Sequence, residues 1–223
     1  MKNYLIILFC VLQGCNSVAQ SDSLCEKYRV TAAELALEYQ LYSDTTKLDS
    51  ALYYTELALS CCPHKHIPNL ILRKLAYLTF MHNYDAGIEL IPTLDNPFFY
   101  YIPYYNSVLL KRFYAMKSLY EGDTATCNQY VHSILEEITP FTAEHQATID
   151  SLCKNDLSTI FQDSLFSLCF AQMQYYYYKF YIEGADVLSQ ELDLLRQKGY
   201  DLEYIEYIQL GIKEEDFLYF YMY

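Results

Sequence analysis

The chain has 223 residues, 53% of them hydrophobic and 19% charged, with only six Gly and six Pro. That mixture can bury a core, which excludes a disordered, collagen-like or low-complexity chain, and so few turn formers argue against a loop-rich sandwich or barrel. Fifteen Lys and Arg against 28 Asp and Glu leave a formal charge of −13 with no Lys/Arg cluster, which argues against nucleic acid as a partner because phosphate neutralisation needs a basic face.

The N-terminus reads as an address. Met1-Lys2-Asn3 is a short positive start, and the apolar run Tyr4 to Leu12 is too short to cross a bilayer as a helix. Residues 1–14 have the anatomy of a secretory signal and are set aside from the fold. Leu12-Gln13-Gly14-Cys15 resembles the lipobox of bacterial lipoproteins, with Gln13 as its departure; the resemblance implies lipidation of Cys15 and a membrane contact through that lipid. The rival is cleavage after Ala19, where Ser17-Val18-Ala19 follows the small-x-small rule. Either route leads out of the cytoplasm. Residues 15–25 then form a tether, and 26–223 a single helical domain.

Helical spacing recurs along that domain. Leu48, Ala51, Leu52, Thr55, Ala58, Leu59 and Cys62 make one apolar stripe; Cys127, Tyr130, Val131, Ile134, Leu135 and Ile138 make another. Phe166, Cys169, Phe170, Met173, Tyr176, Tyr177 and Phe180 make a third. Ser43-Asp44, His82-Asn83, Glu121-Gly122-Asp123 and Glu183-Gly184 are turn or cap chemistry between helices. Pro63, Pro68, Pro97, Pro103 and Pro140 sit where helices should begin or end. Asp44 to Asp85 spans 41 residues, Asp85 to Asp123 spans 38, and Asp123 to Asp186 spans 63. Two similar intervals and one longer by about 24 suggest helical hairpin repeats with an inserted hairpin.

Ala51-Leu52, Ala58-Leu59 and Pro63 resemble the second helix of a tetratricopeptide repeat. Asn83-Tyr84-Asp85-Ala86-Gly87-Ile88 resembles the turn and small-residue knob of the next repeat, and Leu119 to Asp123 with Cys127 resembles a third. Pro92 departs from the pattern and should kink or end the second helix of repeat two. The resemblance implies an all-α solenoid of three to four antiparallel hairpins, with a concave surface that holds a peptide or protein. Towards the C-terminus, Leu188, Leu192 and Leu195 precede a Gly199 C-cap, and Asp201 caps a helix through about Ile212. The apolar end at 216–223 is expected to cap the array, as helix or as strand.

Chemistry-bearing residues are few. The chain has no Gly-x-Ser-x-Gly, no His-Glu-x-x-His and no Gly-rich phosphate loop. Glu136-Glu137 and Glu214-Glu215-Asp216 read as solvated faces, because adjacent helical residues point about 100° apart. Cys61-Cys62-Pro63-His64-Lys65-His66 offers ligand types for zinc or copper(I), but with adjacent rather than spaced thiols. Neither a metal nor another cofactor is expected. Cys25, Cys61, Cys62, Cys127, Cys153 and Cys169 remain after the signal and Cys15, an even number that permits disulfides or buried free thiols. Cys127 and Cys169 lie in stripes and read as core. In an antiparallel hairpin the start of one helix lies beside the end of the next, so Cys25 can bridge Cys61 or Cys62.

The chain carries 26 Tyr and no Trp. Tyr100, Tyr101, Tyr104 and Tyr105, and Tyr175, Tyr176, Tyr177, Tyr178 and Tyr181, surround a helix or its entry with rings. One face can be core; the opposite face then offers Tyr to a partner, or else Tyr replaces Phe in a thin, wet core. Acidity and Tyr anchors together point to a basic protein or peptide partner. The leading expectation is a lipid-anchored, non-catalytic protein-binding module of a bacterial envelope. The alternative is an envelope immunity protein that occludes a basic toxin, and a carboxylate glycan hydrolase comes third.

Overall fold

A computed structural model of the chain describes residues 23–94, 102–162 and 165–213. Among the described residues there are eleven α-helices, two turns of 3-10 helix and no strand, so the chain is all-α. Within the single domain expected over 26–223, backbone contacts separate two compact units that divide between Asn83 and Tyr84. The signal, the lipobox Cys15, the alternative cleavage after Ala19, Pro97 and the tail at 214–223 lie outside the described residues.

The first unit is built on helices α1 (Ser23–Tyr42), α2 (Thr45–Cys61) and α3 (Ile67–Phe80). Alanines 32, 33 and 36 on α1 and 51 and 58 on α2 are buried, so the two backbones approach closely along their length. Ala36, Leu48, Ala51 and Tyr77 form one apolar cluster that draws in Leu35, Tyr39, Leu52, Phe80 and Met81. The turn between α1 and α2 needs one left-handed residue, Ser43 at φ 56°. Asp44 then caps α2, its carboxylate accepting the Thr46 N–H at 3.0 Å. Pro63 precedes a 3-10 turn at His64–His66 and Pro68 falls in the first turn of α3, where its missing N–H costs nothing.

The second unit holds α4 (Tyr84–Leu90), α5 (Tyr105–Tyr120), α6 (Thr124–Glu144), α7 (Gln146–Leu152), α8 (Leu157–Gln162), α9 (Phe166–Glu183), α10 (Ala185–Gln197) and α11 (Leu202–Lys213). Helix α4 ends at Leu90 and Pro92 falls in a 3-10 turn at Ile91–Thr93, as its ring requires. Gly87 is the point of closest approach: a Cβ built there would meet the Phe113 ring of α5 at 2.1 Å. The turn from α5 to α6 is a Schellman motif, with Asp123 N–H on Ser118 O at 2.8 Å and Gly122 N–H on Leu119 O at 3.1 Å. The same pair of bonds closes α10 at Gly199, after which Asp201 caps α11 through the Tyr204 N–H at 3.1 Å.

Pro140 departs from the expectation that it marks a helix boundary. It lies inside α6, where Ile134, Ile138 and Thr142 continue one buried stripe on both sides of it. Burial of that stripe outweighs the one backbone bond a proline removes. Helix α9 is the hub of the unit, packing against α6, α7, α8, α10 and α11. That differs from a plain repeat array, in which each element meets only its neighbours. The longer interval between Asp123 and Asp186 contains α7 and α8, two short helices rather than one long inserted hairpin.

Candidate binding cleft

The sequence-singled tyrosines do not share one surface. Tyr100 and Tyr101 lie outside the described residues. Tyr104, half-buried, sits at the entry of α5 with its ring edge-on to Phe141 at 5.1 Å. Tyr105 beside it is buried. On α9, Tyr176, Tyr177 and Tyr178 are all buried, so the expectation of a solvent-facing Tyr run there is corrected for these three. Consecutive residues rotate about 100° around a helix, and α9 has neighbours around most of its circumference. Burial accordingly pushes the Tyr177 and Tyr178 hydroxyls above their ordinary value, with the Arg112 guanidinium opposing it at Tyr178. Tyr181 is half-buried, its hydroxyl 3.2 Å from the Cys127 sulfur. Tyr175 alone of the α9 run reaches a cavity while keeping part of its ring in solvent.

That cavity is a cleft of about 280 Å³ where α6, α7, α9 and α10 come together. Tyr175 and Tyr176 supply aromatic wall, Gln146 and Gln172 supply amides, and Leu194 supplies an apolar rim that is 55% exposed. Glu191 and Lys198 stand at its edge with opposite charges. Lys179 Nζ lies 5.5 Å from the Tyr175 ring centroid, pairs closely with Glu191 and reaches Glu183 at 3.7 Å. Burial would lower the Lys179 ammonium, but the Glu191 and Tyr175 partners outweigh it and hold it above the usual lysine range.

A polar network floors the cleft. Tyr204 Oη donates to Gln172 Oε1 at 3.1 Å or to Cys169 O at 3.0 Å, and Gln172 Nε2 donates to Tyr200 Oη at 3.3 Å. Tyr200 in turn hydrogen-bonds closely to Asp150, which also accepts Gln146 Nε2 at 2.6 Å and faces Lys198 Nζ at 3.6 Å. Burial would raise the Asp150 carboxyl; bonds from Tyr200 and Gln146 and the charge of Lys198 overcome this and hold it below the ordinary carboxylate range. Both amides of the floor are thus fixed, which keeps the cleft in one shape.

Among the described lining residues Glu191 is the one carboxylate, and Lys179 already occupies it. No group of three or more His, Cys, Asp or Glu able to hold a metal occurs among the described residues. In the Cys61-to-His66 segment, Cys62 is taken by a disulfide to Cys25, with Cα atoms 5.0 Å apart, and Cys61 is an exposed free thiol. Cys127 and Cys169 are buried, as core positions should be.

Sequence reading missed the cleft. Its signal was Leu194, which lies off the Leu188, Leu192 and Leu195 stripe and so had to face outward. A second signal was Gln172, an amide in an otherwise apolar stretch that is buried at the cleft. Tyr42, Tyr53 and Tyr120, outside the Tyr runs, are the strongly exposed rings among the described residues. No described helix is long and apolar enough to cross a membrane. Comparison with protein-family models, with curated proteins and with solved structures gives no match to this chain.

Proposed function

We propose that the chain is an exported, lipid-anchored, non-catalytic module of a bacterial envelope, built of tetratricopeptide-like hairpins, which holds a segment of a basic protein partner. The observation that carries this reading is the cleft of about 280 Å³, with a rigid polar floor, an aromatic wall and the exposed Leu194 rim. Such a site takes a side chain or a short peptide stretch, with aromatic and apolar anchors supplying affinity. The formal charge of −13 adds a field that speeds encounter with a basic surface and repels acidic ones. The close approach at Gly87, the buried Ala51 and Ala58, and the matched turns support the hairpin reading.

The test is a pull-down from native envelope with wild type and with Leu194→Glu, each checked for unchanged melting. A basic partner kept by wild type, lost by the variant and slower to associate at about 0.5 M than at about 0.05 M salt agrees with the reading. An acidic partner, or salt-indifferent binding, sinks it. A toxin recovered as the partner selects the immunity role. Anchoring is tested apart: a fatty-acid analogue should label wild type and spare Cys15→Ala.

A further inference from the structure

We propose that Cys153 and Cys169 close a second disulfide, which staples the segment between α6 and α9 onto the hub helix. Their sulfurs lie 3.1 Å apart, and both residues are wholly buried. A disulfide bond is about 2.04 Å long, so closure asks for a movement of about 1 Å. The other free thiols are accounted for: Cys127 faces Tyr181, and Cys61 is exposed in the first unit.

The pairing is held by backbone as well as by side chains. Cys153 ends α7, its N–H on Ile149 O at 2.9 Å, and its carbonyl receives the Asp201 N–H at 2.8 Å. Cys169 lies within α9 and its carbonyl accepts from Tyr204 Oη at 3.0 Å. Both cysteines are therefore tied to the same short stretch, Asp201 to Tyr204. Helix α7 has seven residues and α8 has six, lengths that do not hold a helix alone in water. A covalent tie at Cys153 would fix α7, and with it Gln146 and Asp150 at the floor of the cleft.

The step needs an oxidant, which is a disulfide: glutathione disulfide or the active-site disulfide of a thiol oxidoreductase. One cysteine thiolate attacks a sulfur of that disulfide and forms a mixed disulfide, expelling the other half as thiolate. The second cysteine, as thiolate, then displaces the remaining half. The two cysteines lose two electrons and two protons, and the oxidant ends as two thiols. In the folded chain both sulfurs are out of reach of an external disulfide, and the Cys169 contact and burial push the Cys153 thiol up. Exchange is therefore expected while the helices are still open, and the finished bond is shut away from reductant. The inference takes only the oxidising compartment from the export reading, and supplying the oxidant in vitro removes that dependence.

The full chain is reduced, unfolded and refolded in a glutathione redox buffer. It is then unfolded in guanidinium with iodoacetamide and no reductant, and mapped by mass spectrometry. The expected result is a Cys153–Cys169 linked peptide lacking two hydrogens, with Cys61 and Cys127 alkylated. Alkylated Cys153 and Cys169 in molecules whose Cys25–Cys62 bond has closed would overturn the proposal. A Cys25→Ser/Cys62→Ser variant gives a second reading, since its first bridge is gone. Reductant present through unfolding should lower its Tm by roughly 6–12 °C, and an unchanged Tm refutes the bridge. Loss of partner binding with this bond intact would count against the cleft reading alone.

Discussion

Between residues 23 and 83 the buried side chains are mainly Ala and Leu, with Tyr77 and Thr55 as the main polar carriers; between 84 and 213 they include Tyr84, Tyr105, Tyr176, Tyr177, Tyr178, Tyr200 and Tyr204 together with Arg112, Gln172 and Gln174. Alanine lets two backbones touch and brings no polar atom with it. Tyrosine fills more space but brings a hydroxyl that must find a partner once buried. The first unit is accordingly tied by a covalent bridge, and its one buried Tyr hydroxyl bonds locally, to Thr55 and to Ala32 O at 3.5 Å. The second is tied by a chain of side-chain bonds from Cys169 O through Tyr204, Gln172 and Tyr200 to Asp150. Small side chains therefore set a close backbone geometry, whereas Tyr200 and Tyr204 make the core beneath the cleft depend on directional bonds; the buried Tyr178 hydroxyl makes none and acts as filling alone.

The largest effect that sharpens this contrast is loss of the first bridge. Cys25→Ser opens a loop of sequence separation 37, which in the chain-entropy model costs about 3–4 kcal/mol. Calorimetry should show the first unit melting earlier with the second little changed; a uniform shift would break the division into two supports. Gly87→Ala comes next. Its Cβ would enter the Phe113 ring, which is wholly buried, at a cost of about 1–3 kcal/mol against a propensity gain of up to about 1. Adding Phe113→Leu should recover part of the loss, and no effect of Gly87→Ala alone would mean the crossing is not tight.

Deleting matched hydroxyls compares the cores directly. Tyr204→Phe leaves the buried Gln172 Oε1 short of its donor and should cost about 1–3 kcal/mol in chemical unfolding. Tyr77→Phe gives up a 3.5 Å bond to Ala32 O and the bond with Thr55, whose own hydroxyl still donates to Ala51 O, and should cost about 1 kcal/mol or less. Equal costs would erase the contrast. The network also predicts a pH effect. Asp150 has a folded pKa below its unfolded value, so it contributes stability that is full above about pH 4 and is lost as pH falls through the folded value. Tyr200→Phe should flatten that part of the acid limb, as read from Tm against pH.

The smallest effect concerns a turn that both units use. His82 at φ 54° and Gly122 at φ 81° occupy equivalent positions of Schellman motifs, with Asn83 N–H on Leu78 O and Asp123 N–H on Ser118 O, both at 2.8 Å. Gly122→Ala should cost about 1 kcal/mol, although its Cβ meets nothing, because the left-handed backbone itself disfavours a side chain. His82→Gly should gain less than that, because added freedom in the unfolded chain offsets the relief.

The all-α class, the cap at Asp44, the turn at Gly122, the stop at Pro92 and the Gly199–Asp201 junction were legible in the chain, because each rests on contacts within a few residues. So was the neighbourhood of Cys25 and Cys62, which follows from any antiparallel hairpin, although Cys61 was an equal candidate until the packing chose. Pro140 was misread because its local cost is visible in sequence and the burial that overrides it is not. For the Tyr run at 175–178 the sequence leaves core and partner-facing readings both open, since periodicity shows that rings surround a helix without showing how many sides are covered; the packing buries Tyr176, Tyr177 and Tyr178 and leaves Tyr175 at the cleft.

Where helices start, stop and turn is written into the chain itself, since capping, left-handed glycines and proline sterics act over four or five residues. Which faces of α9 are hidden, that Cys153 lies against Cys169, and that Gln146, Gln172, Tyr175 and Leu194 meet at one cleft come from the packing of helix on helix. Those pairings join residues far apart along the chain. They depend on the packing of whole helices around a hub, for which no short-range pattern in the sequence carries the information.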